Sequence, residues 1–193
     1  MAGHINGDPF NWGLGANSPH IGRYFTARGW IMPGETVLDA GCCTGYGTKL
    51  LAQVAGKTIG GDIDESCIEF ANQNKHENCT FQVLDLGHDE LPDVDVTVAL
   101  ESIEHVDGLE HAIEQIQKHT RRLFVVSVPL RGTSYAYVNE PPSPATEKND
   151  FITDGDCQRI FATNGWKLFY DFHFGEGYFG VYFKKEPERI EPW

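Results

Sequence analysis

Basic residues are scarce in this chain: 15 Lys and Arg stand against 28 Asp and Glu, for a formal net charge of −13 over 193 residues. A surface that holds phosphates needs clustered cations, and the pairs Arg121-Arg122 and Lys184-Lys185 are too sparse to supply one. Nucleic acid and anionic membrane are therefore not expected as partners. Long apolar runs are also missing, so no segment is expected to span a bilayer. The start, from Met1 to Trp12, lacks the basic stretch and apolar core of a secretory leader. Cys42, Cys43, Cys67, Cys79 and Cys157 are odd in number and show no CxxC spacing, which argues against a disulfide framework and a zinc site. Reduced cytosol is the expected setting. Absent too is the GxGxxG spacing of a dinucleotide site.

What is present is an alternation of short β-rich runs with helical periodicity, which predicts βαβ units and a parallel sheet within one domain. Thr36 to Asp39, Lys57 to Asp62, Thr80 to Asp85, Val94 to Leu100 and Leu123 to Val128 read as five strands. The fourth is apolar throughout, as suits burial on both faces. Thr48 to Ala55 reads as the first intervening helix, with Leu50, Leu51 and Val54 on one face and Gly56 as its stop. A second helix starts after Asp64 as N-cap. A third starts at Asp107-Gly108-Leu109-Glu110, with Asp107 in the cap role.

Leu130 to Asp150 has no sustained period and holds Tyr135, Tyr137, Glu140, Pro141-Pro142 and Pro144. It is expected to be a long loop over a binding site, with a solvated excursion as the plain alternative. Thr153 caps a further short helix. Trp166 to Phe174 and Tyr178 to Lys185 follow as strands so closely joined that they must pair antiparallel. The expected fold is α/β, a seven-stranded sheet that is mostly parallel, ends in an antiparallel hairpin and carries helices on both faces.

The chemistry concentrates in Val37-Leu38-Asp39-Ala40-Gly41-Cys42-Cys43-Thr44-Gly45-Tyr46-Gly47. A glycine-rich turn entering a helix commonly cradles phosphate, but Asp39 would repel a pyrophosphate. A ligand carrying an ammonium and a sulfonium, S-adenosylmethionine, suits the sign better. Further along, Asp62 ends the second strand, where a carboxylate matches the vicinal hydroxyls of a ribose. Asp64 is better spaced for helix capping.

With these motifs in order, the region from Thr36 to Lys185 resembles the class I S-adenosylmethionine-dependent methyltransferases, a Rossmann-like family. Leu100-Glu101-Ser102-Ile103-Glu104-His105-Val106 resembles the Glu-x-x-Glu-His segment of the ubiquinone-biosynthesis O-methyltransferase group. The resemblance implies cofactor contacts from Asp39, Gly41, Gly45, Asp62, Ile63 against the adenine face, Asp85 and Leu86 at the adenine edge, and Leu100 and Glu101 beside the methionine part. It also implies a small cap helix within residues 1–35, from which Arg23 binds the cofactor carboxylate. Cys43 stands where the family usually has a second glycine.

His105 is the candidate general base. The expected activity is methyl transfer to an O or N nucleophile of a small molecule, held between the 130–150 loop, Phe10 and Trp12, and the tip near His173 to Tyr178. Alternatives are a non-catalytic cofactor-binding subunit, an aminopropyl transferase, and a metal-assisted RNA 2′-O-methyltransferase in which Glu101, Glu104 and His105 hold the ion. An NAD-dependent oxidoreductase ranks last. No metal is expected; the acceptor and the oligomeric state are left open.

Overall fold

The computed structural model of the protein describes residues 19–73, 75–130, 153–174 and 177–184. Phe10 and Trp12 lie outside them, as does the expected 130–150 loop apart from Leu130. Element order is α1 (Pro19–Arg28), β1 (Thr36–Ala40), α2 (Tyr46–Ala52), β2 (Lys57–Asp62), α3 (Glu65–Gln73), β3 (Cys79–Val83) and β4 (Val94–Leu100). After a 3-10 turn at Ile103–His105 come α4 (Leu109–His119), β5 (Thr120–Pro129), α5 (Asp154–Phe161), β6 (Lys167–Phe174) and β7 (Gly177–Phe183). The seven strands lie in the order β3-β2-β1-β4-β5-β7-β6. The first five are parallel, and β7 runs antiparallel between β5 and β6, with His173 opposite Tyr178.

Strand alternation divides the core between the two faces of the sheet, because successive side chains point to opposite sides. Leu38, Phe124 and Val126 pack with Ala112, Ile113 and Ile116 of α4 and Cys157 and Phe161 of α5. Val37, Val96, Val98 and Val125 pack with Tyr24 and Ala27 of α1 and Leu51 of α2. The expected mixed sheet with helices on both faces is the fold observed. No helix among the described residues is long and apolar enough to cross a membrane.

Element ends differ in ways that have local causes. Helix α2 starts at Tyr46, directly after Gly45, and stops at Ala52, although Val54 and Ala55 still pack into the core beyond it. The N-cap of α4 is Gly108, at φ 77, and not Asp107; its left-handed backbone turns the chain without a side-chain cap. Strand β3 ends at Val83, so Asp85 falls in the following turn. Thr153 does cap α5, in a reciprocal box with Asp156.

Candidate functional site

Strand order reverses between β1 and β4, and in open α/β sheets ligands bind outside the carboxyl ends of the strands at such a switch point. Three segments meet there: residues 41–45 after β1, residues 62–64 at the end of β2, and residues 101–105 after β4.

The first segment is fixed by backbone bonds and close packing. The N–H groups of Gly41 and Cys42 both donate to the Gly61 carbonyl, at 2.8 and 3.0 Å, and Gly45 N–H donates to the Cys42 carbonyl at 2.9 Å. Gly41 and Gly45 have φ of 85° and 76°. A Cβ at Gly41 would lie 2.4 Å from Ser102 Cβ, and one at Gly45 would lie 2.5 Å from the Phe81 ring. Protein side chains therefore fill the space that each glycine leaves. Ser102 leans over the turn because its hydroxyl donates to the Ala40 carbonyl at 2.8 Å. Cys43 adopts φ 47, the left-handed region that non-glycine residues seldom enter.

Asp39 is fully buried. Its carboxylate accepts from Tyr24 Oη at 3.0 Å and from Thr48 Oγ1 at 2.6 Å, so it ties α1 and α2 to the end of β1. Burial raises its pKa to about 7, against the opposing effect of the two hydrogen bonds. The side chain orders the turn from beneath and does not reach its surface.

Asp62 is half-buried at the tip of β2, where one oxygen accepts from Cys43 N–H at 2.8 Å and the other from Asp64 N–H at 3.0 Å. Ile63 beside it is 66% exposed, an apolar side chain left facing outward at the strand end. Asp64 caps α3 by accepting from Ser66 and Cys67 N–H, as its spacing suggested.

Asp85 is engaged in its own turn. Its carboxylate accepts from Gly87 N–H at 2.9 Å and lies 3.1 Å from His88 Nδ1, and Leu86 is buried in the core. The bonds in place at Asp85 are those of a turn former.

After β4, Leu100 is buried, and Glu101 takes φ 52. Glu101 N–H donates to the Ser127 carbonyl at 2.9 Å, and Ser127 Oγ donates back to its carboxylate at 2.8 Å. Arg23, buried on α1, brings its Nε to 3.5 Å from the same carboxylate. Glu104 is buried, whereas His105 is exposed with Nε2 3.7 Å from Glu104 Oε1. Among the described residues, no three His, Cys, Asp or Glu side chains converge as a metal site would require.

The structure thus brings Arg23, Asp39, Gly41, Gly45, Asp62, Ile63, Asp85, Leu86, Leu100, Glu101 and His105 to one end of the sheet. Thr48, Ser102 and Ser127 support them and were missed. No periodicity or spacing marks these three, since each acts across a tertiary contact.

The donor set suits an adenosyl group with a cationic tail. Each Asp62 oxygen spends one lone pair on a backbone N–H and has capacity for a hydroxyl of a vicinal diol. Ile63 offers an apolar surface to a flat ring, and Glu101, paired with Arg23, presents acceptor oxygens at the end of β4.

A family model described as "Methyltransferase domain" matches residues 38–123. A Mycolicibacterium smegmatis protein, described as a probable S-adenosylmethionine-dependent methyltransferase, is 33% identical over 144 residues, 70% of this chain and 53% of the relative. A Mycobacterium tuberculosis protein described in the same way is 32% identical over 112 residues, 56% of this chain and 40% of the relative. The chain therefore spans about half the length of the curated relatives it matches.

Among solved structures, magnesium protoporphyrin IX methyltransferase from Synechocystis, with bound S-adenosylhomocysteine, superimposes with a TM-score of 0.70 at 19% identity. The match covers 86% of this chain and 84% of that one. A Haloferax volcanii methyltransferase solved in complex with the Trm112 activator gives 0.75 at 14% identity, over 86% and 91%. At these identities the structural matches are likenesses of fold.

Proposed function

We propose, on the premise that the chain carries a domain of the class I S-adenosylmethionine-dependent methyltransferases, that it moves a methyl group to an oxygen or nitrogen of a small molecule. The observation that carries this reading is the position of Asp62 at the end of β2, beside the switch point, with Ile63 exposed next to it. S-adenosylmethionine, the cofactor of this family, supplies a methyl group already activated by a cationic sulfur.

The chain's contribution is then mainly positioning. Asp62 accepts from the ribose hydroxyls and Ile63 covers one face of the adenine. Glu101, held by Ser127 and Arg23, presents its carboxylate oxygens beside the methionine portion, and Leu100 before it anchors the segment in the core. Asp39 acts indirectly, by holding α1 and α2 against the turn. His105 is the proposed proton acceptor for a hydroxyl or amine nucleophile: its ring is exposed on the 3-10 turn that follows β4. A small-molecule acceptor suits the acidic chain better than a polyphosphate. A reducing cytosolic setting agrees with five free cysteines.

The test is a thermal-shift and calorimetric titration followed by turnover on acceptor panels. S-adenosylmethionine and its demethylated product are expected to raise the unfolding temperature and NAD to leave it unchanged, by mass action on the native state. His105→Ala is expected to lower turnover far more than cofactor affinity. No shift with either adenosyl ligand at saturation would overturn the cofactor site. Cofactor binding without turnover on any acceptor would replace the enzyme with a non-catalytic subunit.

A further inference from the structure

We propose that Cys43 and Cys67 form a redox-modification site, a reversible disulfide between the glycine-rich turn and the first turn of α3 that weakens cofactor binding when it closes. The weakening rests on the function proposed above; the disulfide itself does not.

The two residues are far apart in sequence, yet their Sγ atoms lie 3.6 Å apart. Closing that gap to a bond asks for roughly 1.5 Å of movement, since an S–S bond is about 2 Å long. Cys43 is exposed and Cys67 is buried beneath it. An oxidant from solvent thus meets one thiol first and the second is placed to resolve the product. Cys43 also occupies the left-handed backbone position where glycine fits without strain. A cysteine there sets its thiol against Cys67, a use for the residue that the turn alone does not require. Burial raises the pKa of both thiols, which keeps the pair protonated and slow to react until the oxidant level climbs. Transient sensing bonds of this kind are the usual form of cytosolic disulfide.

The chemistry balances with a peroxide as oxidant. The Cys43 thiolate attacks one peroxide oxygen, forming a sulfenic acid and releasing hydroxide, which takes up the thiol proton to give water. The Cys67 sulfur then attacks the Cys43 sulfur and expels a second water. Two thiols are oxidised to one disulfide, and hydrogen peroxide is reduced to two waters.

The effect on the cofactor follows from the bond between Cys43 N–H and Asp62 Oδ2, at 2.8 Å. Drawing the two sulfurs together by roughly 1.5 Å pulls the turn that carries this N–H toward α3, and the carboxylate that the N–H orients for a ribose loses its alignment. By linkage, bound cofactor must in turn oppose closure of the disulfide.

The experiment treats the purified full chain with hydrogen peroxide, maps peptides by mass spectrometry without reduction, and titrates S-adenosylmethionine by calorimetry. The expected result is a Cys43–Cys67 cross-linked peptide pair about 2 Da lighter than its two thiol forms combined. With it, affinity is expected to fall at least about tenfold, recover with dithiothreitol, and show protection when the cofactor is present during oxidation. Cys67→Ser should bind the cofactor as the reduced parent does and lose both the cross-link and the response to peroxide. Cys43→Gly, which suits the left-handed backbone, should lose the cross-link as well.

Absence of a Cys43–Cys67 cross-link under peroxide overturns the site. A cross-linked protein that binds the cofactor as tightly as the reduced one overturns its role. Failure of the reduced protein to bind S-adenosylmethionine would instead overturn the proposed function and with it the affinity effect, while the peptide map decides the disulfide independently.

Discussion

The Tyr24 hydroxyl donates a 3.0 Å hydrogen bond to Asp39, linking the first helix to the end of the first strand through a fully buried carboxylate. Desolvation raises that carboxyl from 3.8 to about 7, so the folded chain keeps a proton that the unfolded chain gives up. Its stabilising contribution is complete below pH 4 or so, declines as the pH rises toward about 7, and is flat beyond. Asp39→Asn cannot ionise and removes this slope. Chemical denaturation across pH is expected to show the variant gaining about 2 to 4 kcal/mol relative to the parent between pH 4 and pH 8. Parallel pH profiles for the two proteins would contradict the buried carboxyl.

Gly47 on α2 faces the ring of Tyr24, and a Cβ there would sit 2.0 Å from it. Gly47→Ala is expected to destabilise the fold by about 1 to 3 kcal/mol through overpacking. Gly34→Ala has no atom within 4 Å of its added methyl and suffers only from its φ of 90°. Urea titrations of the two variants separate crowding from backbone strain.

The reciprocal cap at the start of α5, in which Thr153 accepts from Asp156 N–H and Asp156 accepts from Thr153 N–H, sits beside the edge strand β6, where Asp154 lies 2.8 Å from His173, and not at the switch point between β1 and β4. Thr153→Ala should cost about 1 kcal/mol of stability. Calorimetric affinity for S-adenosylmethionine should be unchanged.

Asp62→Ala removes the proposed acceptor of the ribose hydroxyls and the acceptor of two backbone N–H groups. Cofactor affinity is expected to fall about ten- to a hundredfold, as for the loss of hydrogen bonds to a charged group. Stability should fall by about 1 kcal/mol at the same time. Retained affinity in a folded variant would move the ribose elsewhere.

The strands of this chain are legible because apolar runs such as Val94 to Leu100 and Leu123 to Val128 have few alternatives to a buried sheet. The antiparallel pairing of β6 with β7 follows in the same way from the short link between them. Caps were less secure: Asp107 has the chemistry of an N-cap, but Gly108 could take the left-handed turn that the entry to α4 needs. Asp85 has the right type for an adenine contact, and the hydrogen bonds it makes within its own turn could not be read from that type alone. Hardest to see were relationships that exist only after folding. Thr48 against Asp39, Ser127 against Glu101 and Cys43 against Cys67 join residues that no periodic pattern connects.

The match to the methyltransferase family begins at residue 38, after α1 has ended. Yet Arg23 and Tyr24 reach from that helix to Glu101 and Asp39. A version of this protein trimmed to the family boundary would open a dry carboxylate to water, strip the cover from Gly47 and leave Glu101 without its guanidinium. The helix ahead of the recognised domain is thus a missing wall of that domain, and the working unit is longer than the region by which it is recognised.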